Sequence, residues 1–219
     1  VNSTADESAT NAGAAYVFVR NAGAWTQQAY LKPAAVGTTQ GGDRFGISVA
    51  TSGDTVVVGA WGEDSSTVGV NSTPDENAAD AGAAYVFVRS GSTWSQQAYL
   101  KASNTGSGDL FGWSVAVSGD TLVVGAYGEN SSTTGVNSTP DMSATNAGAA
   151  YVFVRNAGAW TQQAYLKAHQ VNANDDFGFS VAVSGERVVI GARNEDSSTT
   201  GVNSTADESA TNAGAAYVF

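Results

Sequence analysis

The sequence predicts an all-β fold, a β-propeller of four-stranded blades, with about three blades and one redundant strand in 219 residues. Three observations carry this. The segment Gly-Ala-Ala-Tyr-Val-Phe recurs with its tyrosine at 16, 85, 151 and 217, and Phe-Gly recurs with its phenylalanine at 45, 111 and 177. A fixed long period of this kind marks an array of supersecondary units. The period is 66 residues, with three extra residues in the first, between Lys32 and Phe45. The composition suits strands: 26 glycines, only five leucines and two isoleucines, and an apolar content carried by Ala, Val and aromatics. Helix bundles lean instead on Leu and on Glu/Lys pairs. Within each period the texture of successive short segments runs from small to apolar to polar. That gradient fits a blade packed radially; a sandwich of repeated meanders is the other all-β arrangement.

The elements follow in order. Strand one of the second full period is Phe111-Gly-Trp-Ser-Val-Ala-Val-Ser118, whose Gly, Ser and Ala suit a crowded inner position. Gly119-Asp120 turns the chain, as a Gly-polar pair does in a type II′ hairpin. Strand two, Thr121-Leu-Val-Val-Gly-Ala126, is a continuous apolar run and so is expected to be buried on both faces. Strand three is Ala150–Arg155, and Asn156-Ala-Gly-Ala159 closes its hairpin with strand four, Trp160–Lys167. In the first period strand four carries Gln27, Gln28 and Lys32, which predicts an outer, partly wet edge. The whole chain reads as one repeat array over residues 1–219. Its units are approximately 1–44 (partial), 45–110, 111–176 and 177–219 (partial).

Counted this way the strands number two, four, four and three, with a third-type strand at both Tyr16 and Tyr217. Val1–Phe18 is identical to Val202–Phe219, whereas the two interior copies of that stretch differ. Three blades are fewer than a closed propeller needs, and open sheet edges invite pairing. Val1 opens inside a polar loop, so either a longer tandem parent or association of copies into a ring or fibre is expected.

These motifs together resemble the FG-GAP repeat: Phe-Gly-x-Ser-Val-Ala, Ser-Gly-Asp, Val-Val-Gly-Ala, Gly-Ala-Ala-Tyr-Val-Phe and Trp-x-Gln-Gln-Ala-Tyr-Leu-Lys. The likeness is to the bacterial type related to integrin α-subunit propellers, and it extends over essentially the whole chain. It implies a propeller with an extracellular or cell-surface role in adhesion or ligand binding, without catalysis. Related repeats often carry a calcium loop between strands one and two. Here that connection is only Ser52-Gly53-Asp54 and its equivalents. It is too short for the roughly six to eight oxygens that Ca²⁺ takes.

Charge and composition exclude other classes. A formal net charge of −11 repels phosphate backbones and anionic lipid, so no nucleic-acid partner is expected. No apolar run is long enough for a membrane-spanning helix, so no membrane insertion is expected. The chain has no cysteine, hence no disulfide, thiolate nucleophile or Cys-type zinc site. The single histidine, His169, cannot build a three-His metal site, and no Gly-x-Ser-x-Gly elbow accompanies it. Near-identical repeats also argue against catalysis, since an active site breaks the symmetry of its scaffold.

The candidate site residues lie in the long loop between strands two and three. Ordinary connections are shorter, and this one is rich in oxygen ligands suited to a hard cation such as Ca²⁺. The residues are Glu63, Asp64 and Asp75, with Glu129, Asn130 and Asp141, and Glu195, Asp196 and Asp207, as their counterparts. The other reading is a loop held by its own Asx and Ser turns, and the four Asn-Ser-Thr triplets at Asn2, Asn71, Asn137 and Asn203 fit the same reading. Asp43, Asp109 and Asp175, each two residues before Phe-Gly, are read as caps on backbone N–H groups. Trp25, Trp94 and Trp160 are read as inter-blade packing, with sugar stacking as the alternative. The expected partners are further copies or neighbouring repeats, and a protein or glycan ligand. The loops of strands two–three and four–one should share the face that holds it.

Overall fold

The computed structural model describes residue 2 and residues 8–34 and 41–219. The described chain is all strand, turn and loop, in four antiparallel sheets. The first sheet holds β1 (Ala15–Asn21) and β2 (Ala24–Leu31). The second holds β3 (Ser48–Ser52), β4 (Thr55–Ala60), β5 (Ala83–Ser90) and β6 (Thr93–Leu100), hydrogen-bonded in that order. The third repeats it with β7 (Ser114–Ser118), β8 (Thr121–Ala126), β9 (Ala149–Asn156) and β10 (Ala159–Leu166). The last holds β11 (Phe177–Ser184), β12 (Arg187–Ala192) and β13 (Ala215–Val218). This is the predicted β-propeller-like array of blades, and the predicted count of thirteen strands matches. Residues 35–40, in the loop that carries the extra residues of the first period, lie outside the described residues.

The turns follow from backbone chemistry. Gly53 stands at φ 56° where β3 turns into β4, as a type II′ corner requires. Ala157 and Gly158 are both left-handed, at φ 48° and 83°, which matches the strand twist in the β9–β10 hairpin.

The apolar core lies between sheets rather than within one. On β4 and β5, Val57, Ala84 and Val86 face the third sheet and pack with Phe111, Leu122, Val124, Tyr151 and Phe153. Val56, Val58, Tyr85 and Phe87 face the first sheet with Ala15, Ala29, Leu31 and Phe45. The two-residue period of the strand thus serves two interfaces, and all six residues of β4 are buried. Strands β3, β7 and β11 lie next to one another along the array. Their close approach explains the motif glycines. A Cβ on Gly125 of β8 would collide with the carbonyl of Gly178, the glycine of the next Phe-Gly.

Strand four departs from its predicted outer wet edge, most sharply at the lysine that ends it. Lys101 and Lys167, which follow β6 and β10, are fully buried. Burial of an ammonium demands a charged partner, and each is paired with a loop carboxylate described below. Two strand-four glutamines, Gln28 on β2 and Gln97 on β6, are also committed between sheets: Trp94 Nε1 donates to Gln28 Oε1 at 2.7 Å, and Trp160 Nε1 donates to Gln97 Oε1 at 2.8 Å. Trp94 and Trp160 are therefore inter-blade anchors, as predicted, whereas Trp25 in the first sheet is exposed.

Candidate functional site

The long loops are built from the residues that the sequence singled out as cation ligands, and the structure gives each of them a protein donor. Glu63 Oε1 accepts the Tyr99 hydroxyl at 2.8 Å, and its Oε2 accepts Lys101 Nζ at 2.8 Å and the Ser65 N–H at 3.2 Å. Lys101 also donates to the Gly82 carbonyl at 2.6 Å. Glu129 repeats the arrangement with Tyr165, Lys167 and Ser131, and adds Asn104 Nδ2 from the preceding blade at 2.9 Å. This buried hub pushes both tyrosine hydroxyls up, first by desolvation and then by the adjacent carboxylate. Burial pulls both lysines down, with the paired glutamate opposing.

The remaining candidates serve the loop backbone. Asp64 Oδ1 accepts the Asp80 N–H at 2.8 Å, Asn130 Oδ1 the Asn146 N–H at 2.9 Å, and Asp196 Oδ1 the Asn212 N–H at 2.6 Å. Asp75 accepts the N–H and hydroxyl of Ser66 and the Asn77 N–H, which hold its carboxyl down at about 2. Asp141 and Asp207 do the same with Ser132 and Ser198. Glu195 accepts the Ser197 N–H at 3.1 Å. Among the described residues, no three His, Cys, Asp or Glu side chains stand together so as to hold a metal ion. The triplet asparagines clasp strand four: Asn71 Oδ1 accepts the Tyr99 N–H and Asn137 Oδ1 the Tyr165 N–H, both at 2.9 Å. Ser3 and Thr4 of the first triplet lie outside the described residues.

Of the aspartates before Phe-Gly, Asp109 and Asp175 cap backbone of the loop that precedes them. Asp109 Oδ2 accepts the Gly106 N–H at 2.7 Å and Asp175 Oδ2 the Asn172 N–H at 2.8 Å. Burial pushes Asp43 and Asp109 up to about 7 and Asp175 up to about 6. The four–one loops bond the two–three loops, as in Leu110 N–H to the Asp80 carbonyl at 3.1 Å, so the two loop sets share one end of the array.

Sequence reasoning missed a second constellation on that end. Three positions of the repeat change chemistry from blade to blade. The residue before Phe-Gly is Arg44, Leu110 or Asp176; the residue after it is Ile47, Trp113 or Phe179; the residue after strand two is Trp61, Tyr127 or Arg193. Most of these side chains converge. Trp61 and Trp113 have ring centroids 5.9 Å apart, Trp113 lies 4.8 Å from Tyr127 and 5.7 Å from Phe179, and Tyr127 lies 5.4 Å from Phe179. The guanidinium of Arg44 caps Trp61 at 4.9 Å, and that of Arg193 sits 4.0 Å over Phe179. Arg193 is held by Asp176 at 2.7 Å, which also accepts Asn194 Nδ2. All four aromatics are half-buried, and both arginines are exposed. Arg44, Leu110 and Asp176 all have left-handed backbone, with φ of 56–60°, an uncommon state that recurs near binding sites. The available signal was the departure from the repeat at these positions.

The blade geometry and the repeated motifs define a propeller-type repeat protein. The chain belongs to the FG-GAP repeat family, which it matches at residues 25–87, 94–153 and 160–219. A search of curated proteins returns no match.

Proposed function

We propose that this chain is a non-catalytic, extracellular β-propeller module for adhesion, and that the aromatic–arginine row is its ligand surface. The observation that carries the reading is the convergence of the blade-to-blade differences on one row. The scaffold residues repeat almost unchanged, while Arg44, Trp61, Trp113, Tyr127, Phe179 and Arg193 do not. Half-exposed aromatic faces flanked by guanidinium groups suit a ligand with a flat apolar face beside an anionic group, as in an acidic sugar. Loops and strand ends on a rigid scaffold are where binding is normally placed.

Probing the chain against an array of neutral and acidic glycans, followed by tryptophan-emission titration with the acidic oligosaccharides retained, tests this. Saturable binding that is weakened by salt, lost in Trp113→Ala and weakened in Arg44→Ala is the expected result. Binding unchanged in both variants, or no retained glycan, overturns it. A second reading, self-assembly through the terminal strands, is favoured by one observation: Tyr16 is 55% exposed while its equivalents Tyr85 and Tyr151 are at most 4% exposed.

A further inference from the structure

We infer that Lys167 and Asn104 react with each other, side chain to side chain, to form an amide cross-link, with Glu129 carrying the protons. The bond is a self-modification made once per chain, buried beneath the loops and separate from the aromatic–arginine row.

Glu129 is where the two reactants meet. Its Oε2 accepts Lys167 Nζ at 2.9 Å, and its Oε1 accepts Asn104 Nδ2 at 2.9 Å. Amine and carboxamide thus sit on the two oxygens of one carboxylate. The same carboxylate accepts the Tyr165 hydroxyl at 3.0 Å and the Ser131 N–H at 3.1 Å, and Lys167 Nζ also donates to the Gly148 carbonyl at 2.6 Å. On the far side of the carboxamide, the Tyr151 hydroxyl donates to Asn104 Oδ1 at 2.7 Å. Lys167 and Tyr151 are fully buried, and Glu129 is 1% exposed. Reacting groups held in one place in this way no longer need to find each other by diffusion.

The chemistry follows from burial. An ammonium has no lone pair with which to attack, but desolvation disfavours its charged form and pulls Lys167 down. Transfer of a proton from Nζ to Glu129 gives a neutral amine beside a neutral acid, where ions are costly. The Nζ lone pair then attacks Asn104 Cγ. The Nζ–Cγ bond forms as the carbonyl π pair moves onto Oδ1, where the Tyr151 hydroxyl meets the developing charge. Burial also pushes that hydroxyl well up, so it stays a donor. Glu129 gives its proton to Nδ2 and takes one from Nζ, the Cγ–Nδ2 bond breaks, and ammonia leaves with the electron pair. Ammonia takes up the remaining proton. In sum, an ammonium and a carboxamide become a secondary amide and an ammonium ion, with no oxidant or cofactor.

The repeat supplies an internal control. Lys101 has the same partners in Glu63 and the Gly82 carbonyl, but among the described residues no carboxamide is bonded to Glu63. The equivalent of Asn104, three residues after the next strand-four lysine, is Gln170, which donates to Glu208 at 3.3 Å instead. Lys167 is therefore the lysine that faces an asparagine. The cross-link ties the loop between the second and third sheets to the end of β10, and a closed covalent ring of this kind restricts the unfolded chain.

Intact-mass spectrometry of the purified full chain tests this. The expected mass is the sequence mass less one ammonia. A tryptic digest should show residues 102–155 joined to residues 156–187, with no cleavage after Lys167 and normal cleavage after Lys101. The joined pair separates the cross-link from a cyclic imide at another asparagine, which loses the same mass. Asn104→Ala keeps the Glu129–Lys167 pair and should restore the full sequence mass, cleavage after Lys167 and a lower melting temperature. Glu129→Gln should also leave the chain unlinked. Asn104→Asp should still link, losing one water in place of ammonia. A full sequence mass in the unsubstituted chain overturns the inference. So does a mass loss that persists in Asn104→Ala, or a digest in which Lys167 is cleaved as freely as Lys101.

Discussion

The Glu–Tyr–Lys hub and the aromatic–arginine row occupy the same end of the array, and they obey opposite rules. The hub recurs in the interior blades with the same residues and nearly the same distances: 2.8 and 2.9 Å for the two ion pairs, 2.8 and 3.0 Å for the two tyrosine bonds. The row is different in every blade, from Trp61 to Tyr127 to Arg193 at one position alone. In a chain made of near-copies, what is copied holds the blades together. What is not copied marks where the blades stop being interchangeable. The lesson is physical: a buried charge tolerates almost no change of partner, whereas a half-exposed aromatic surface can be altered freely.

The sharpest way to break the comparison is to remove one partner of a hub. Glu129→Ala leaves the fully buried Lys167 ammonium beside the Gly148 carbonyl with no countercharge. Removing one member of a buried pair costs about 3–5 kcal/mol. A denaturant titration should show that loss, and a cost below about 1 kcal/mol, the range of exposed pairs, would mean that the hub is solvated. Trp113→Ala should do the reverse. Trp113 is half-buried, so its stability cost should be about 1 kcal/mol, near the centre of ordinary substitutions. Its effect on glycan binding should be far larger. Equal losses in both assays would dissolve the distinction between scaffold and site.

Much of the fold was legible in the amino-acid sequence. The thirteen strands, their order, and the placement of Trp94 and Trp160 between blades followed from period, texture and turn residues. The family followed from the motifs. The hub did not, because Glu63 and Lys101 are 38 residues apart and belong to different periodicities, and a lysine ending a strand reads as a wet edge. Nothing in the one-dimensional pattern shows that the loop folds back over the end of strand four. The aromatic row was hidden for a different reason. Trp61, Trp113 and Phe179 come from three sheets and meet only because the inner strands lie side by side. Their departure from the repeat was visible in the sequence, and their convergence was not.

The aspartates at 43, 109 and 175 sharpen the comparison by pH. Asp109 faces Glu129, Lys101 and Lys167, and burial lifts its carboxyl to about 7 from an ordinary 3.8. Between those values the folded chain holds a proton that the unfolded chain has released. Stability contributed by this group is therefore full below about pH 4, falls as pH rises, and is gone above about pH 7. The aspartates of the loop turns act oppositely. Asp75, held near 2, supports folding above about pH 4 and ceases to do so in stronger acid. The melting temperature should consequently be higher near pH 5 than at pH 8. Asp109→Asn keeps an acceptor for the Gly106 N–H and removes the titration. It should raise stability at pH 8 and flatten the slope by up to ~1.4 kcal/mol per pH unit. An unchanged slope would mean that Asp109 is ionised in the folded chain.

The smallest expected effect concerns calcium, and it separates the two readings of the long loops. To coordinate an ion, Glu63, Asp64 and Asp75 would have to surrender bonds they already make. Glu63 would release Lys101 and Tyr99, Asp64 the Asp80 N–H, and Asp75 the donors of Ser66 and Asn77. Releasing Glu63 leaves a buried ammonium without its partner, and the ion must offset that cost as well as its own dehydration. Millimolar CaCl₂ or EDTA should therefore move the melting temperature by no more than ~1 °C, where a stabilisation of 1 kcal/mol in a chain of this size would move it by about 2–4 °C. A calcium-specific rise beyond that, absent with Mg²⁺ and lost in Asp75→Asn, would place an ion in the loops. It would also show that the exposed turn around Asp75 can rearrange while the buried Glu63–Lys101 pair stays closed.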